Sequence, residues 1–568
     1  MKKILLSASM LLSVAAIAQA QTTVNLETAG TLSSKISSDE KYTITDLTIT
    51  GELNGSDFVL LRDMAGQNQD NAKTEGKLEK LDISGATIVA GGDPYYVVYG
   101  SKGDIEYKTS DKKMGNCLFA NCPALKTILM PTNTTAIGDS CFFKTTALEN
   151  VTYPESITEV GRYAFAYTKI TGFVYPSGVE LKEGVFRNCS KLTTVVIPDN
   201  YTTIPKKAFA GTGLTEFKFP ETLETIGEAA FDGSGLQTVT FPASLRTIDT
   251  EAFMDNYSLT TVNFNDGLET IATNAFLGCS ALTKAILPNS VKSLGGAFGT
   301  CSALTEVHLP DSLTEIPEAC FDRCSNLTSV NIPNTVKVIG YYAFQNNTLL
   351  PDVVFPDSLE EIGESAFSSC ETFTKLQLPA KLKTIGVTAF EGCTGLKSIS
   401  FPDSLQDIER GAFQYCTALD TVRIPEGMTS IGDMAFCMDD GIKVVYLPST
   451  LEMISSGVFL SNTSLAEIHC AAVNPPTCGR NVFVEVPTDA CVVYVPAGSK
   501  ESYAAANTWK DFMNIQEEAT DGINNTANAE SKHETARFNM AGQKINASAM
   551  GISIVRYSDG SVVKTMNK

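Results

Sequence analysis

One unit recurs so regularly that it decides the architecture. Written A-F-x-x-C-x-x-L-x-x-V-x-I-P-x-x-L-x-x-I-G-x-x and anchored on its phenylalanine, it places Phe119, Phe142, Phe165, Phe186, Phe209, Phe231, Phe253, Phe276, Phe298, Phe321, Phe344, Phe367, Phe390, Phe413, Phe436 and Phe459. Successive anchors are 21 to 23 residues apart, and the seven steps from Phe298 to Phe459 are all 23. A fixed period of this size dictates a solenoid, because one such unit cannot bury its own apolar face and must stack on its neighbours.

Each apolar position has its own role. In the coil ending at Phe344, Leu327, Val330 and Ile332 alternate as a short strand with one face inward, so stacked copies predict a parallel sheet. Pro333 has no N–H and stops the strand, and proline holds that place in 14 of 16 coils, with Asn265 and Ala471 the exceptions. Val336 and Ile339 line a second wall. The glycine after that isoleucine reads as an exposed corner rather than a positive-φ site, since Pro205, Pro317, Lys182 and Glu409 stand there in other coils.

Eight of the 15 cysteines lie three residues after the anchor: Cys122, Cys189, Cys279, Cys301, Cys324, Cys370, Cys393 and Cys416. Thr145, Thr168, Thr212, Ser234, Asn256, Asn347 and Asn462 take the same place elsewhere. A column that accepts these types reads as a ladder of small side chains bonded to the backbone of a tight turn. No C-x-x-C pair or Cys/His cluster has zinc spacing. A disulfide is expected, if anywhere, among Cys470, Cys478 and Cys491.

The ends carry other signals. Lys2 and Lys3, the apolar run Ile4 to Ile17 and Ala18-Gln19-Ala20 form an export leader over residues 1–20, and Gln21 rather than cysteine follows the cut, so no N-terminal lipid is expected. No later apolar stretch reaches the ~18 residues of a membrane helix. The chain carries a net charge of -21, and losing Lys2 and Lys3 makes it more acidic. Phosphate binding needs a basic surface, so nucleic acid is excluded as a partner.

Residues 21–116 read as an N-terminal β cap, in which Gly91-Gly92-Asp93-Pro94-Tyr95-Tyr96 is a turn followed by exposed aromatics. The solenoid runs from 117 to 483. A C-terminal cap follows over 484–517: a strand at Cys491 to Pro496, then one short helix from Ser499 to Phe512 that lays Tyr503, Trp509 and Phe512 over the last coil. Residues 518–536 read as a linker and 537–568 as a separate tail.

The unit resembles the BspA-like, treponemal-class leucine-rich repeat, whose copies carry the same I-G-x-x-A-F, C-x-x-L and I-P segments. The resemblance implies a mainly β, right-handed coil stack with a parallel sheet. It also implies an exported or cell-surface binding protein without cofactors, such as an adhesin for a host matrix protein or another cell-surface protein. The tail, with Phe538-Asn539-Met540-Ala541-Gly542-Gln543 and Gly551-Ile552-Ser553-Ile554-Val555, resembles a shortened sorting domain of type IX secretion. Pro-Asp-Ser-Leu turns, as at Pro310, Pro356 and Pro402, are similar to an O-glycosylation site of some bacteria, but the plain turn is the preferred reading.

Catalysis finds no motif: the three histidines, His308, His469 and His533, sit in no metal or nucleophile pattern. The candidate binding face is the outward side of the strands, with His308, Asn331, Gln377, Arg423, Tyr446 and His469 in one column and Lys443 in another. The second column holds threonine at 193, 215, 260, 283, 305 and 328, where β propensity alone accounts for it, and becomes charged at Lys397, Asp420 and Lys443. Arg423, Lys443 and Tyr446 mark the C-terminal third as the better contact surface, because Arg and Tyr are enriched at binding hot spots. A protein ligand is preferred over a glycan, since the column supplies few aromatics, and a structural surface-layer role is the remaining alternative.

Overall fold

The computed structural model describes residues 21–101 and 103–518, together with the tail strands Glu534–Asn539, Gly551–Tyr557 and Val562–Asn567. The expected leader lies outside the described residues, as does the linker up to residue 533. The chain divides into one unit ending at Gln516 and another starting at Glu517. In the second, the three tail strands pair antiparallel in chain order. The first of them starts at Glu534, inside the span read as linker.

The larger unit is a β-solenoid. Most coils contribute a short strand such as Ser329–Asn331 to one wall and a two-residue strand such as Val338–Ile339 to the other. Both pair parallel with the neighbouring coil at identical repeat positions, Val307 with Val330 and Ile316 with Ile339. Leu327, Val336, Ile339 and Phe344 are fully buried. Pro333 ends the strand, and its carbonyl then accepts the Val336 N–H at 3.1 Å, so the residue that stops one wall also opens the turn towards the other.

The anchor phenylalanines form one continuous stack. Consecutive rings from Phe119 to Phe483 lie 5.2 to 6.0 Å apart with planes within 18°. Aromatic pairs of this kind contribute about 0.5–1.5 kcal/mol beyond the burial of their area. Their backbone stacks as well. In the Phe321 coil, the N–H groups of Ala319, Phe321 and Arg323 donate to Tyr341, Ala343 and Gln345 of the next coil, each at 2.8 Å.

That ladder requires a left-handed residue on each side of the ring. The residue two after the phenylalanine has positive φ in all 16 coils, from Asn121 (62°) to Ser461 (61°). The residue two before it does so in 15, Gly296 being the exception. The glycine after the isoleucine is different again, and the exposed-corner reading needs correction. Gly340 is buried with ordinary φ, and a Cβ there would meet Ile316 O and Glu318 N of the preceding coil at 2.8 Å. Where Pro205, Pro317, Lys182 or Glu409 replaces it, the position is half-buried or exposed.

The ends also depart from expectation. The N-terminal region is not β structure alone. Asn54 opens the helix Gly55–Met64 with a capping box to Asp57, and Phe58 meets the first ring of the stack, Phe119, edge-on at 5.9 Å. Tyr95 and Tyr96 are buried rather than exposed, on the strand Gly91–Val98, which pairs with Ile105–Thr109 as a hairpin. The Tyr95 hydroxyl donates to Asn116 O at 2.8 Å, and the Arg62 guanidinium covers Tyr96 at 4.8 Å. At the other end the expected single helix is two pieces, Lys500–Ala505 and Trp509–Asp511. Trp509 and Phe512 cover Phe483 edge-on at 5.4 and 5.0 Å.

The cysteine column works between coils rather than within one turn. Cys279, Cys301, Cys324, Cys370, Cys393 and Cys416 donate to the anchor-phenylalanine carbonyl of the coil before at 3.2 to 3.3 Å, and Cys189 does so at 3.0 Å. Cys122 alone faces its own turn, at Ala120 O. Burial pushes the Cys189 thiol up to about 11 and Cys393 up to about 12, which keeps the donated proton in place. All 15 cysteines are free, so the disulfide expected near the C-terminal cap is absent, and Cys470 instead accepts the Tyr503 hydroxyl at 3.1 Å. The serines of the Pro-Asp-Ser-Leu turns are committed too: Ser312, Ser358 and Ser404 donate to Val291, Val336 and Leu382 carbonyls.

Candidate functional site

On the outward strand face the threonine column has a structural use. The hydroxyls of Thr260, Thr283, Thr305 and Thr328 donate to the carbonyls of Gln237, Thr260, Thr283 and Thr305, one coil back in each case. These side chains point along the stack and are spent on it.

The sequence candidates fall into separate groups. His308 and Asn331 sit in register on the sheet formed by Lys284–Ile286, Glu306–His308 and Ser329–Asn331. There the Asn331 amide is occupied, accepting from Leu309 N at 2.7 Å and donating to Leu309 O at 3.2 Å. The next coil has no strand on this wall: Pro351 removes the N–H that would continue the ladder, and Asp352 bonds the Thr374 and Lys375 N–H groups in its place. Beyond this break a seven-stranded sheet begins at Lys375–Gln377, with Gln377 beside Ser400.

The last coils bring side chains together. Arg423, Tyr446, His469 and Tyr494 are direct register partners on successive strands. The Arg423 guanidinium lies 3.4 Å from the Tyr446 ring centre, Tyr446 stacks on His469 at 4.5 Å and 13°, and His469 stacks on Tyr494 at 4.6 Å and 15°. Lys443 pairs with Asp420 at 2.7 Å, a bond that holds the Asp420 carboxyl below its usual range, and His469 Nε2 lies 3.3 Å from Glu467. Among the described residues, Lys375, Lys397 and Arg423 have no ion-pair partner.

Tyr494 was missed because it lies beyond the last repeat. Its signal was nonetheless present: Val493-Tyr494-Val495 repeats the order of Val445-Tyr446-Leu447.

A second concave region is a groove of about 990 Å³ between the N-terminal hairpin and the second wall of the first coils. Tyr107, Lys113, Glu159, Arg162 and Lys182 are among its lining, and Lys182 and Glu159 pair at 2.9 Å across it. Among the described residues no group of three or more His, Cys, Asp or Glu side chains could hold a metal ion, and no helix is long and apolar enough to cross a membrane.

Comparison with known families settles the lineage. The model of the BspA type leucine rich repeat region (6 copies) matches residues 101–193, 179–297, 281–382 and 360–485. The chain belongs to this family. Its repeats make a solenoid scaffold of the kind that serves protein–protein interaction and is typically non-catalytic. Among solved structures, a leucine-rich repeat protein from Bacteroides ovatus is 24% identical, with 74% of this chain and 90% of that one covered and a TM-score of 0.47. A leucine rich repeat protein of T. pallidum is 30% identical over 30% of this chain and 79% of its own, with a TM-score of 0.27. A leucine rich cell surface protein from Faecalibacterium prausnitzii is 21% identical over 66% and 85%, with a TM-score of 0.28. A search of curated proteins finds no match.

Proposed function

We propose that this chain is an exported surface protein that binds another protein, in the manner of an adhesin, through the outward strand face of its last coils. The observation that carries this reading is the in-register row Arg423, Tyr446, His469 and Tyr494 on the seven-stranded sheet. Elsewhere on the same wall the threonine hydroxyls bond to neighbouring backbone, whereas here large side chains of hot-spot type stand on the surface in a fixed arrangement. Stacked rings hold each other in one rotamer, so less entropy is lost on docking.

A binding array of residues 21–568 against extracellular matrix proteins, cell-surface proteins and polysaccharides tests the proposal. The expected result is a saturable protein partner that is lost when Arg423→Ala and Tyr446→Ala are combined. Binding to polysaccharide alone sinks the adhesin reading.

A further inference from the structure

The geometry of the row points to what it recognises, an inference that rests on the protein-binding reading above. Tyr446 has Arg423 on one face and His469 on the other, and His469 has Tyr446 and Tyr494 on its two faces. A sugar ring or an apolar side chain would need a free aromatic face to stack upon, and these two rings offer none. With those faces covered the row presents polar groups, of which His469 Nε2 already lies 3.3 Å from Glu467. Arg423 is the strongest donor in the row. Its guanidinium lies over the Tyr446 ring, 3.4 Å from the centre, with no carboxylate within ion-pair distance among the described residues, so its planar fork of N–H groups is held in place and unfilled.

The charge around it has the same sense. Lys375, Lys397 and Arg423 belong to three successive coils and have no ion-pair partner among the described residues, Lys375 interacting with the Asp352 carboxylate only beyond ion-pair distance, while Lys443 is neutralised by Asp420 and Glu467 lies beside His469. In a chain of net charge -21, this face gathers unpaired cations. We propose that the row captures carboxylate groups on an acidic segment of the partner protein. Arg423 supplies the bidentate contact, and Lys375 and Lys397 engage further carboxylates along the stack. A peptide is favoured over an acidic polysaccharide because sugar rings use aromatic faces, and both faces of Tyr446 and of His469 are covered.

The test is a fluorescence titration of residues 21–568 with a labelled oligoglutamate peptide and with polygalacturonate, at low and at high salt. Oligoglutamate is expected to bind and to weaken as salt rises. Arg423→Ala should weaken it about tenfold or more, Arg423→Lys should fail to restore it because the fork and the stacking are lost, and Thr305→Val, outside the row, should leave it unchanged. Circular dichroism melts identify any variant that has lost its fold. Oligoglutamate binding that is insensitive to Arg423→Ala, or binding of polygalacturonate only, overturns the inference. So does a protein partner whose capture depends on this face but ignores both salt and competing oligoglutamate, an outcome that leaves the proposed function standing. If oligoglutamate binds through Arg423 while the array yields no protein partner, the carboxylate inference holds and the adhesin reading falls.

Discussion

The stretch of strand wall that carries Thr260, Thr283, Thr305 and Thr328 and the stretch that carries Arg423, Tyr446, His469 and Tyr494 have the same backbone and opposite uses of their side chains. In the first, each hydroxyl turns along the stack and bonds the carbonyl one coil back. In the second, three residues further on in each repeat, large side chains stack on each other instead. Repeat position and side-chain chemistry together therefore settle whether a residue stabilises the stack or faces a partner.

The largest expected effect lies in what the two regions share. Phe276→Ala in the threonine region and Phe413→Ala in the aromatic region should each cost about 3–5 kcal/mol, measured by denaturant titration, because each removes one fully buried ring from the same stack. A clear difference between the two costs would show that the regions differ in core packing and not only in surface.

A smaller effect separates them at the buried column. Where other coils have Cys, Thr, Ser or Asn, the Phe436 coil has Asp439, which is fully buried. Burial raises its carboxyl well above the usual range, although it accepts the Cys416 N–H at 2.6 Å, and its Oδ2 has no partner. Asn256 and Asn347 in the same column donate an amide to the Phe231 and Phe321 carbonyls. Asp439→Asn should therefore stabilise by about 1–3 kcal/mol at neutral pH. The folded protein holds this proton more tightly than the unfolded chain does. The cost of the native aspartate is thus absent below its unfolded pKa and grows as pH rises from there towards the folded value. The gain from Asp439→Asn should shrink in acid, and a gain that is constant with pH would refute the assignment.

The smallest effect tests the threonine ladder itself. Thr305→Val keeps the β-branched shape and removes the bond to Thr283 O, so it should cost about 0.5–1.5 kcal/mol in a thermal melt and leave partner binding unchanged. The two stretches would not differ as described if it weakened binding as much as Arg423→Ala.

Much of this was legible in the residues. The Phe anchors, the strand-ending prolines and the alternation of Leu327, Val330 and Ile332 report burial and a missing N–H, both of which leave a mark on residue type. The left-handed pairs flanking each ring were harder to see. The residue two after the ring is Gly, Asn or Asp in half of the 16 coils, at Asn121, Asn188, Gly211, Gly233, Asp255, Gly278, Asn346 and Gly392, but Lys144, Thr300, Arg323 and Tyr415 blur the signal. The helix at Asn54 had a capping-box signal in Asn54 and Asp57, and was hidden by the β pattern on either side of it.

By itself the sequence determined the period, the residues that fill the core and the family, because a one-dimensional stack repeats its physical demands every coil and each repetition restates them in residue types. Tertiary structure alone decided which carbonyl each cysteine reaches, that Tyr95 and Tyr96 turn inward, and that Arg423, Tyr446, His469 and Tyr494 make one row. Those outcomes depend on contacts between coils and on the register in which strands align, and residues over 20 positions apart in the chain carry no local mark of being neighbours.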